Sequence, residues 1–87
     1  QFPSSGSVFK NPEGYHVGEM IEKCGLKGYS IGNAQVSEQH ANFIINKGNA
    51  LAIDVFNLAR HVKNTVYENY GVTLEAENIF IGFKEQL

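Results

Sequence analysis

The clearest hydrophobic pattern in the chain lies between residues 51 and 70. Apolar side chains recur there with a period close to 3.6, as expected for a helix that buries one face. The positions of this stripe are Ile53, Val55, Phe56, Leu58, Ala59, Val62, Val66 and Tyr70. Asn49 is a candidate N-cap, and Gly71 is suited to end the helix. The pattern therefore predicts a helix of about 20 residues, roughly 30 Å long.

A shorter stripe in HVGEMIEKCG, residues 16–25, predicts a second helix. Val17, Met20, Ile21 and Cys24 are spaced by three or four residues, which places them on one face. Gly25 follows as the glycine that commonly ends a helix. We expect Cys24 to pack into the core, because it lies at the end of the apolar face.

Four segments have the pattern of strands: residues 7–10, 34–37, 41–46 and 72–83. A polar turn at residues 37–40 separates the second from the third. The last segment alternates and then becomes continuously apolar, as expected for a strand that is half buried and then fully buried. The pattern predicts an α+β fold: a small, mostly antiparallel sheet, a long helix of the C-terminal half packed on one face, and a shorter helix.

The chain has 87 residues and a formal net charge of −2. This length fits a single domain over residues 1–87, and the charge provides no basic surface for nucleic acid. A single cysteine excludes an internal disulfide, no apolar run is long enough to span a membrane, and the cytoplasm is the expected location. Because the chain begins with Gln1 and has its one methionine at position 20, we expect a fragment or a processed product.

The polar residues alone support few catalytic classes. There is no G-x-S-x-G motif for a hydrolytic triad, and the three histidines lack the H-E-x-x-H spacing of a metal site. Lys27 lies between two glycines in GLKG, an arrangement that can present a cation and open backbone N–H groups to a phosphate. An ordinary surface loop is the favoured interpretation of this segment.

Three further features each have two interpretations. In SSGSVFKNP, residues 4–12, the serines either lead into a strand or contact a ligand. His40 is either an ordinary turn histidine, which is favoured, or a ligand contact. Glu77, two residues after Glu75, is either an exposed charge at a strand edge, again favoured, or a carboxyl group whose pKa is raised beside an apolar strand.

Four motifs in combination resemble the C-terminal domain of the UDP-N-acetylenolpyruvoylglucosamine reductase (MurB) family, over residues 4–82. They are G-S-x-F-K at 6–10, G-L-K-G at 25–28, H-A-N-F-I-x-N-K-G-N-A at 40–50 and L-E-x-E at 74–77. Their order and spacing carry the resemblance, since no single motif is specific. The short interval between Pro12 and G-L-K-G is similar to the type II subclass, which lacks a long tyrosine-bearing loop. Asn78, directly after the last motif, departs from the family pattern.

The resemblance implies an oxidoreductase that uses FAD and NADPH to convert UDP-N-acetylglucosamine enolpyruvate to UDP-N-acetylmuramate for peptidoglycan synthesis. It implies that Ser7 is the proton donor and that Glu77 stabilises the charge that develops beside the substrate carboxylate. Asn11 and Lys27 match positions that contact the substrate pyrophosphate, and His40 lies near a contact position whose identity varies. No residue of this chain is expected to bind a cofactor or a metal.

The same resemblance implies that the FAD-binding domains of the family are not part of this chain. We therefore expect the 87 residues to form the substrate-binding lobe, without bound FAD or NADPH and without reductase activity of their own. Exposure of the surface that meets the flavin domains makes self-association of the fragment a further expectation. The alternative function is a stand-alone module that binds a nucleotide sugar or a protein partner without catalysis.

Overall fold

The structure, a computed structural model, describes residues 8–76 of the chain. Its elements in chain order are α1 (Val17–Lys23), β1 (Ser30–Ile31), β2 (Ala34–Val36), β3 (Ile44–Asn46) and α2 (Ala52–Tyr70). The strands form one antiparallel sheet in the order β1-β2-β3. Helix α2 packs on β1 and β2, and α1 contacts α2. This arrangement confirms the α+β fold with its long helix on a small antiparallel sheet.

Helix α2 supplies more buried residues than any other element. Its buried stripe consists of Val55, Phe56, Leu58, Ala59, Val62 and Val66. The sheet contributes Ala34 and Val36, which have no exposed surface. Alternate residues of a strand point to the same side of the sheet, so these two side chains share the face covered by α2. Among the residues that the structure describes, no helix combines the length and the apolar composition needed to cross a membrane.

The predicted stripe of α2 is too long at both ends. Ile53 is 46% exposed and Tyr70 is 41% exposed, so neither belongs to the buried face. Both positions fit the 3.6-residue period, but the buried face begins at Val55 and ends at Val66. Gly71 ends the helix in the left-handed conformation, as predicted.

The predicted N-cap of α2 is wrong. Leu51 is the N-cap residue, and Asn49 lies in the preceding turn with a φ angle of 56°. The Asp54 carboxylate accepts a hydrogen bond from the Leu51 N–H at 3.4 Å. An acidic group in the first turn also complements the helix dipole, so Asp54 takes the role predicted for Asn49.

The strands of the sheet are shorter than the patterns predicted, and one strand is additional. Strand β1 was not predicted, because two residues between Gly28 and Gly32 carry almost no periodic signal. Strand β3 begins at Ile44 instead of residue 41. The predicted turn before it is present, since Ser37 Oγ accepts hydrogen bonds from the backbone N–H groups of residues 39 and 40.

The described parts of the first and last predicted strands meet at one antiparallel bridge, between Phe9 and Ala76. The Lys10 N–H also donates to the Glu75 carbonyl at 2.9 Å. The long strand predicted from residue 72 does not begin there, because residues 72–75 are irregular as they bring Leu74 into the core. The rest of both predicted strands lies outside the described residues.

Helix α1 agrees with its prediction. Val17, Met20 and Ile21 are buried, Cys24 is the C-cap residue, and Gly25 follows with a φ angle of 77°. Cys24 packs partly buried against the core, as expected. Burial raises the pKa of its thiol above the ordinary value of 9.0.

The raised pKa of Cys24 predicts slow alkylation. At about pH 8 a smaller fraction of the thiol is ionised in the folded chain than in the unfolded chain, so iodoacetamide should react more slowly. The folded-chain rate should keep rising above pH 9.0, where the rate in urea levels off. The folded state holds the thiol proton more tightly, so this contribution to stability is full below that pH and lost above it. The alkylation rate of N-acetylcysteine, measured with and without urea, corrects for the effect of the denaturant. Identical pH midpoints for the folded and the unfolded chain would contradict the prediction.

Gly32, in the turn between β1 and β2, predicts a specific loss of stability. Its φ angle is 57°, and a Cβ atom there would overlap the Asp54 carboxylate. We expect Gly32→Ala to lower the free energy of unfolding by about 2 kcal/mol, from left-handed strain and from loss of the Asp54 bond at the start of α2. Gly14→Ala is the matched control, because Gly14 has a φ angle of 84° but open space around it. It should lose only about 1 kcal/mol in urea unfolding, and equal losses for the two variants would count against the Asp54 contact.

Candidate functional site

A cavity of about 370 Å³ opens between helix α1 and the loop that precedes β3. Its polar lining consists of Asn11, His16, Glu19, Glu22, Gln39, His40 and Asn42. This volume lies within the range of small-molecule sites. Two of the predicted substrate contacts, Asn11 and His40, therefore meet at one cavity although they are distant in the sequence.

Asn11 belongs to the cavity wall and to the start of α1. Its Oδ1 accepts a hydrogen bond at 2.9 Å from the N–H of Val17, the first residue of the helix. The N-cap residue, His16, makes no such bond with its own side chain. Asn11 thus supplies the acceptor that a capping side chain normally provides, and the bond fixes its amide group at the cavity.

His40 lies at the end of the turn that begins with Ser37. The Ser37 hydroxyl accepts a hydrogen bond from the His40 N–H at 3.1 Å. The His40 imidazole packs against the Phe43 ring, with 5.6 Å between the ring centroids. These two contacts hold an exposed imidazole at the edge of the cavity.

Lys27 does not line the cavity, but its side chain is paired with a residue that does. Its Nζ lies 3.8 Å from Oε1 of Glu22. The Lys27 side chain is 32% exposed and that of Glu22 is 60% exposed, so the pair is weak. The ammonium group is therefore placed beside the cavity without being held firmly to its partner.

The glycine loop around Lys27 does not offer the open backbone amides that a phosphate cradle needs. The N–H groups of Gly25, Leu26, Gly28 and Tyr29 all donate to backbone carbonyl oxygens of the domain. These four N–H groups are therefore not open to a phosphate, which favours the surface-loop interpretation for the backbone. The Lys27 side chain remains a candidate for contact with an anion.

Asn42 is a residue of the cavity wall that the sequence analysis did not single out. Its side-chain amide bonds both backbone groups of Phe9: Oδ1 accepts from the N–H at 3.1 Å, and Nδ2 donates to the carbonyl at 2.9 Å. Its own carbonyl accepts from the Val8 N–H at 2.8 Å. The available signal was a polar residue inside the apolar run ANFII, but the partner of that residue could not be read from its neighbours.

Ser7 and Glu77, the two predicted catalytic residues, lie outside the described residues. Their neighbours are described: Phe9, two residues after Ser7, pairs with Ala76, which directly precedes Glu77. The catalytic roles that the resemblance implies for both residues therefore remain predictions.

The three histidines lie in two places. His16 and His40 line the cavity, whereas His61 stacks on Tyr29 with a centroid distance of 4.7 Å. Within residues 8–76, no group of three or more His, Cys, Asp or Glu side chains is arranged to hold a metal ion. This ring contact joins α2 to the residue that precedes β1.

Comparison with known proteins gives a consistent set of relatives. A family model described as UDP-N-acetylenolpyruvoylglucosamine reductase, C-terminal domain, matches residues 1–81. A curated UDP-N-acetylenolpyruvoylglucosamine reductase of Anoxybacillus flavithermus is 52% identical over 83 residues, which cover 95% of this chain and 28% of the relative. That of Caldicellulosiruptor saccharolyticus is 55% identical over 82 residues, which cover 94% of this chain and 26% of the relative.

A solved structure agrees with these relatives. The crystal structure of the reductase MurB from Thermus caldophilus matches with a TM-score of 0.68 and 44% sequence identity. The match covers 83% of this chain and 26% of that chain. This chain therefore spans about a quarter of the length of the relatives that it matches.

Proposed function

Because the chain belongs to the UDP-N-acetylenolpyruvoylglucosamine reductase family, as its C-terminal domain, we propose that it is the substrate-binding lobe of such a reductase. The whole enzyme then reduces UDP-N-acetylglucosamine enolpyruvate to UDP-N-acetylmuramate for peptidoglycan synthesis in the cytoplasm, and residues 1–87 form one of its domains. Within the chain, the proposal is supported by the meeting of Asn11 and His40 at one cavity.

The substrate pyrophosphate requires donors and positive charge, which three side chains supply. The Lys27 ammonium provides the charge, while the Asn11 amide and the His40 imidazole provide N–H donors. The carboxylates of Glu19 and Glu22 lie on the same wall and disfavour an anion. Lys27 offsets this repulsion, and its weak pair with Glu22 leaves the ammonium free to turn toward a phosphate.

The reduction itself divides between a cofactor and two residues of this chain. In the whole enzyme, FAD reduced by NADPH would supply the hydride for one carbon of the double bond of the enolpyruvyl ether. Ser7 donates its hydroxyl proton to the neighbouring carbon, so that the double bond becomes single, and solvent returns a proton to Ser7. A protonated Glu77 donates a hydrogen bond to the substrate carboxylate and stabilises the charge beside it.

The motifs match no residue of this chain to a flavin contact, and the chain spans about a quarter of the length of its relatives. The proposal therefore assigns FAD and NADPH to the remaining three quarters of the enzyme.

We expect the chain alone to bind the substrate without reducing it. In an NMR titration with UDP-N-acetylglucosamine enolpyruvate, the shifted resonances should cluster at Asn11, Lys27 and His40. NADPH should not be oxidised in the presence of substrate, because the hydride donor is absent. A dispersed spectrum without shifts would contradict the expected binding, and coupled oxidation of NADPH by the chain would contradict the expected lack of reduction.

In the whole enzyme, Lys27→Ala should raise KM for the substrate by at least about 10-fold, because a charge-assisted hydrogen bond contributes about 1.5–3 kcal/mol. kcat should change little, since the pyrophosphate is bound equally in the ground state and the transition state. Lys23→Ala is the matched control: it removes the same charge from the exposed last turn of α1. An equal rise in KM for both variants would show an effect of net charge alone.

A further inference from the structure

Asn42 pairs with Phe9 as a neighbouring strand would. A side-chain amide offers one donor side and one acceptor side, as a peptide group does. Both sides are used on the same residue, through the Phe9 N–H at 3.1 Å and the Phe9 carbonyl at 2.9 Å. Together with the bond from the Val8 N–H to the Asn42 carbonyl, three hydrogen bonds join Asn42 to this segment.

Few groups can replace these bonds. Val8 is 6% exposed and Phe9 is 2% exposed, so water has little access to this segment. A side chain without a donor at position 42 would leave the buried Phe9 carbonyl without its partner, and such groups are nearly always paired in folded proteins. The backbone of Phe9 therefore depends on the amide of Asn42 for its position.

The segment that Asn42 holds also pairs on its other side. Phe9 forms the bridge with Ala76, and the Lys10 N–H donates to the Glu75 carbonyl. Residues 8–10 thus lie between Asn42 and residues 75–76. Ser7 directly precedes this segment in the sequence, and Glu77 directly follows Ala76.

We propose that Asn42 is a positioning residue for the reduction step. It fixes the backbone at Phe9 and, through Phe9, the two segments that carry Ser7 and Glu77. Asn42 also lines the cavity that holds the proposed pyrophosphate contacts Asn11 and His40. The same residue therefore belongs to the cavity wall and holds the segment next to the proposed proton donor. The inference rests on the proposed function, because it assumes that Ser7 and Glu77 act on the substrate.

Asn42→Asp in the full-length reductase tests the inference. Aspartate keeps the size of the side chain and the acceptor for the Phe9 N–H, but it replaces Nδ2 with an oxygen that faces the Phe9 carbonyl. At about pH 8 the aspartate is ionised, and the reduced enzyme should be reoxidised by substrate at least about 10-fold more slowly. Reduction of the flavin by NADPH should stay within about twofold, since that step needs no proton from Ser7. An unchanged rate with substrate, or an equal loss in both steps, overturns the inference.

Asn46→Asp is the matched control for charge and for general damage. Asn46 lies in the same HANFIIN segment, and its Oδ1 accepts hydrogen bonds from the N–H groups of Gly48 and Ala50. A carboxylate preserves both bonds, so both half-reactions should keep their wild-type rates. If Asn46→Asp slows the substrate step as much as Asn42→Asp does, the inference is wrong.

Lowering the pH should rescue Asn42→Asp. A protonated carboxyl group again offers one donor and one acceptor, and burial beside the Phe9 carbonyl favours this neutral form. The ratio of the variant rate to the wild-type rate should therefore rise as the pH falls. Taking this ratio cancels the effect of pH on the other ionisable residues of the cavity, because they are the same in both enzymes. These residues are His16, His40, Glu19 and Glu22. A ratio that stays flat or falls contradicts a positioning role for the amide.

Ser7→Ala separates this inference from the proposed function. If Ser7→Ala leaves the substrate step intact, the proposed function fails and the inference fails with it. If Ser7→Ala loses that step while Asn42→Asp keeps it, the inference alone fails. Loss of the step in both variants, with flavin reduction retained, supports both.

Discussion

The burial of one face of α2 against β1 and β2 is the interaction on which the rest of the domain depends. The strands have only two or three residues each, and a sheet of this size is not stable in water by itself. The 19-residue helix likewise gains most of its stability from the packing of its apolar face. Together they remove Leu58, Val62, Ala34 and Val36 from water, and this apolar contact stabilises both elements.

The cavity lies at the edge of this core and takes its shape from it. One wall is α1, which contacts α2, and the other is the loop that continues from β2 into β3. Where regular structure ends, asparagine side chains replace the missing backbone partners. Asn11 supplies the acceptor at the start of α1, and Asn42 supplies the partner of Phe9. The polar residues of the cavity are thus part of the framework as well as candidates for binding.

Local patterns predicted the two helices and the fold class, because a helix that packs on a sheet must repeat its apolar residues along one face. They failed where the cause lies elsewhere in the sequence. Periodicity alone does not show where the buried stripe of α2 begins and ends, so Ile53 and Tyr70 were placed wrongly. The glycine loop had the composition of an anion cradle, but its amides are consumed by carbonyls such as that of Val36.

For the site, the family resemblance named candidate residues, whereas local physical patterns did not reveal the residue that holds the framework together. The resemblance to the family implied all five site residues, and two of them, Asn11 and His40, lie at one cavity. No local rule predicted Asn42, because its hydrogen bonds go to a residue 33 positions away. A side chain whose partner is distant in sequence has no periodicity, spacing or capping signal to reveal it.

The bridge between Phe9 and Ala76 has a consequence for the order of folding. It joins the first and last segments that the structure describes, and closing so long a loop is entropically costly until nearer contacts have formed. Contacts of low sequence separation, such as those within α2 and between β1 and β2, form first. A chain emerging from the ribosome therefore acquires its helix and sheet first, and the pairing of residues 9 and 76 belongs to the last stage of folding.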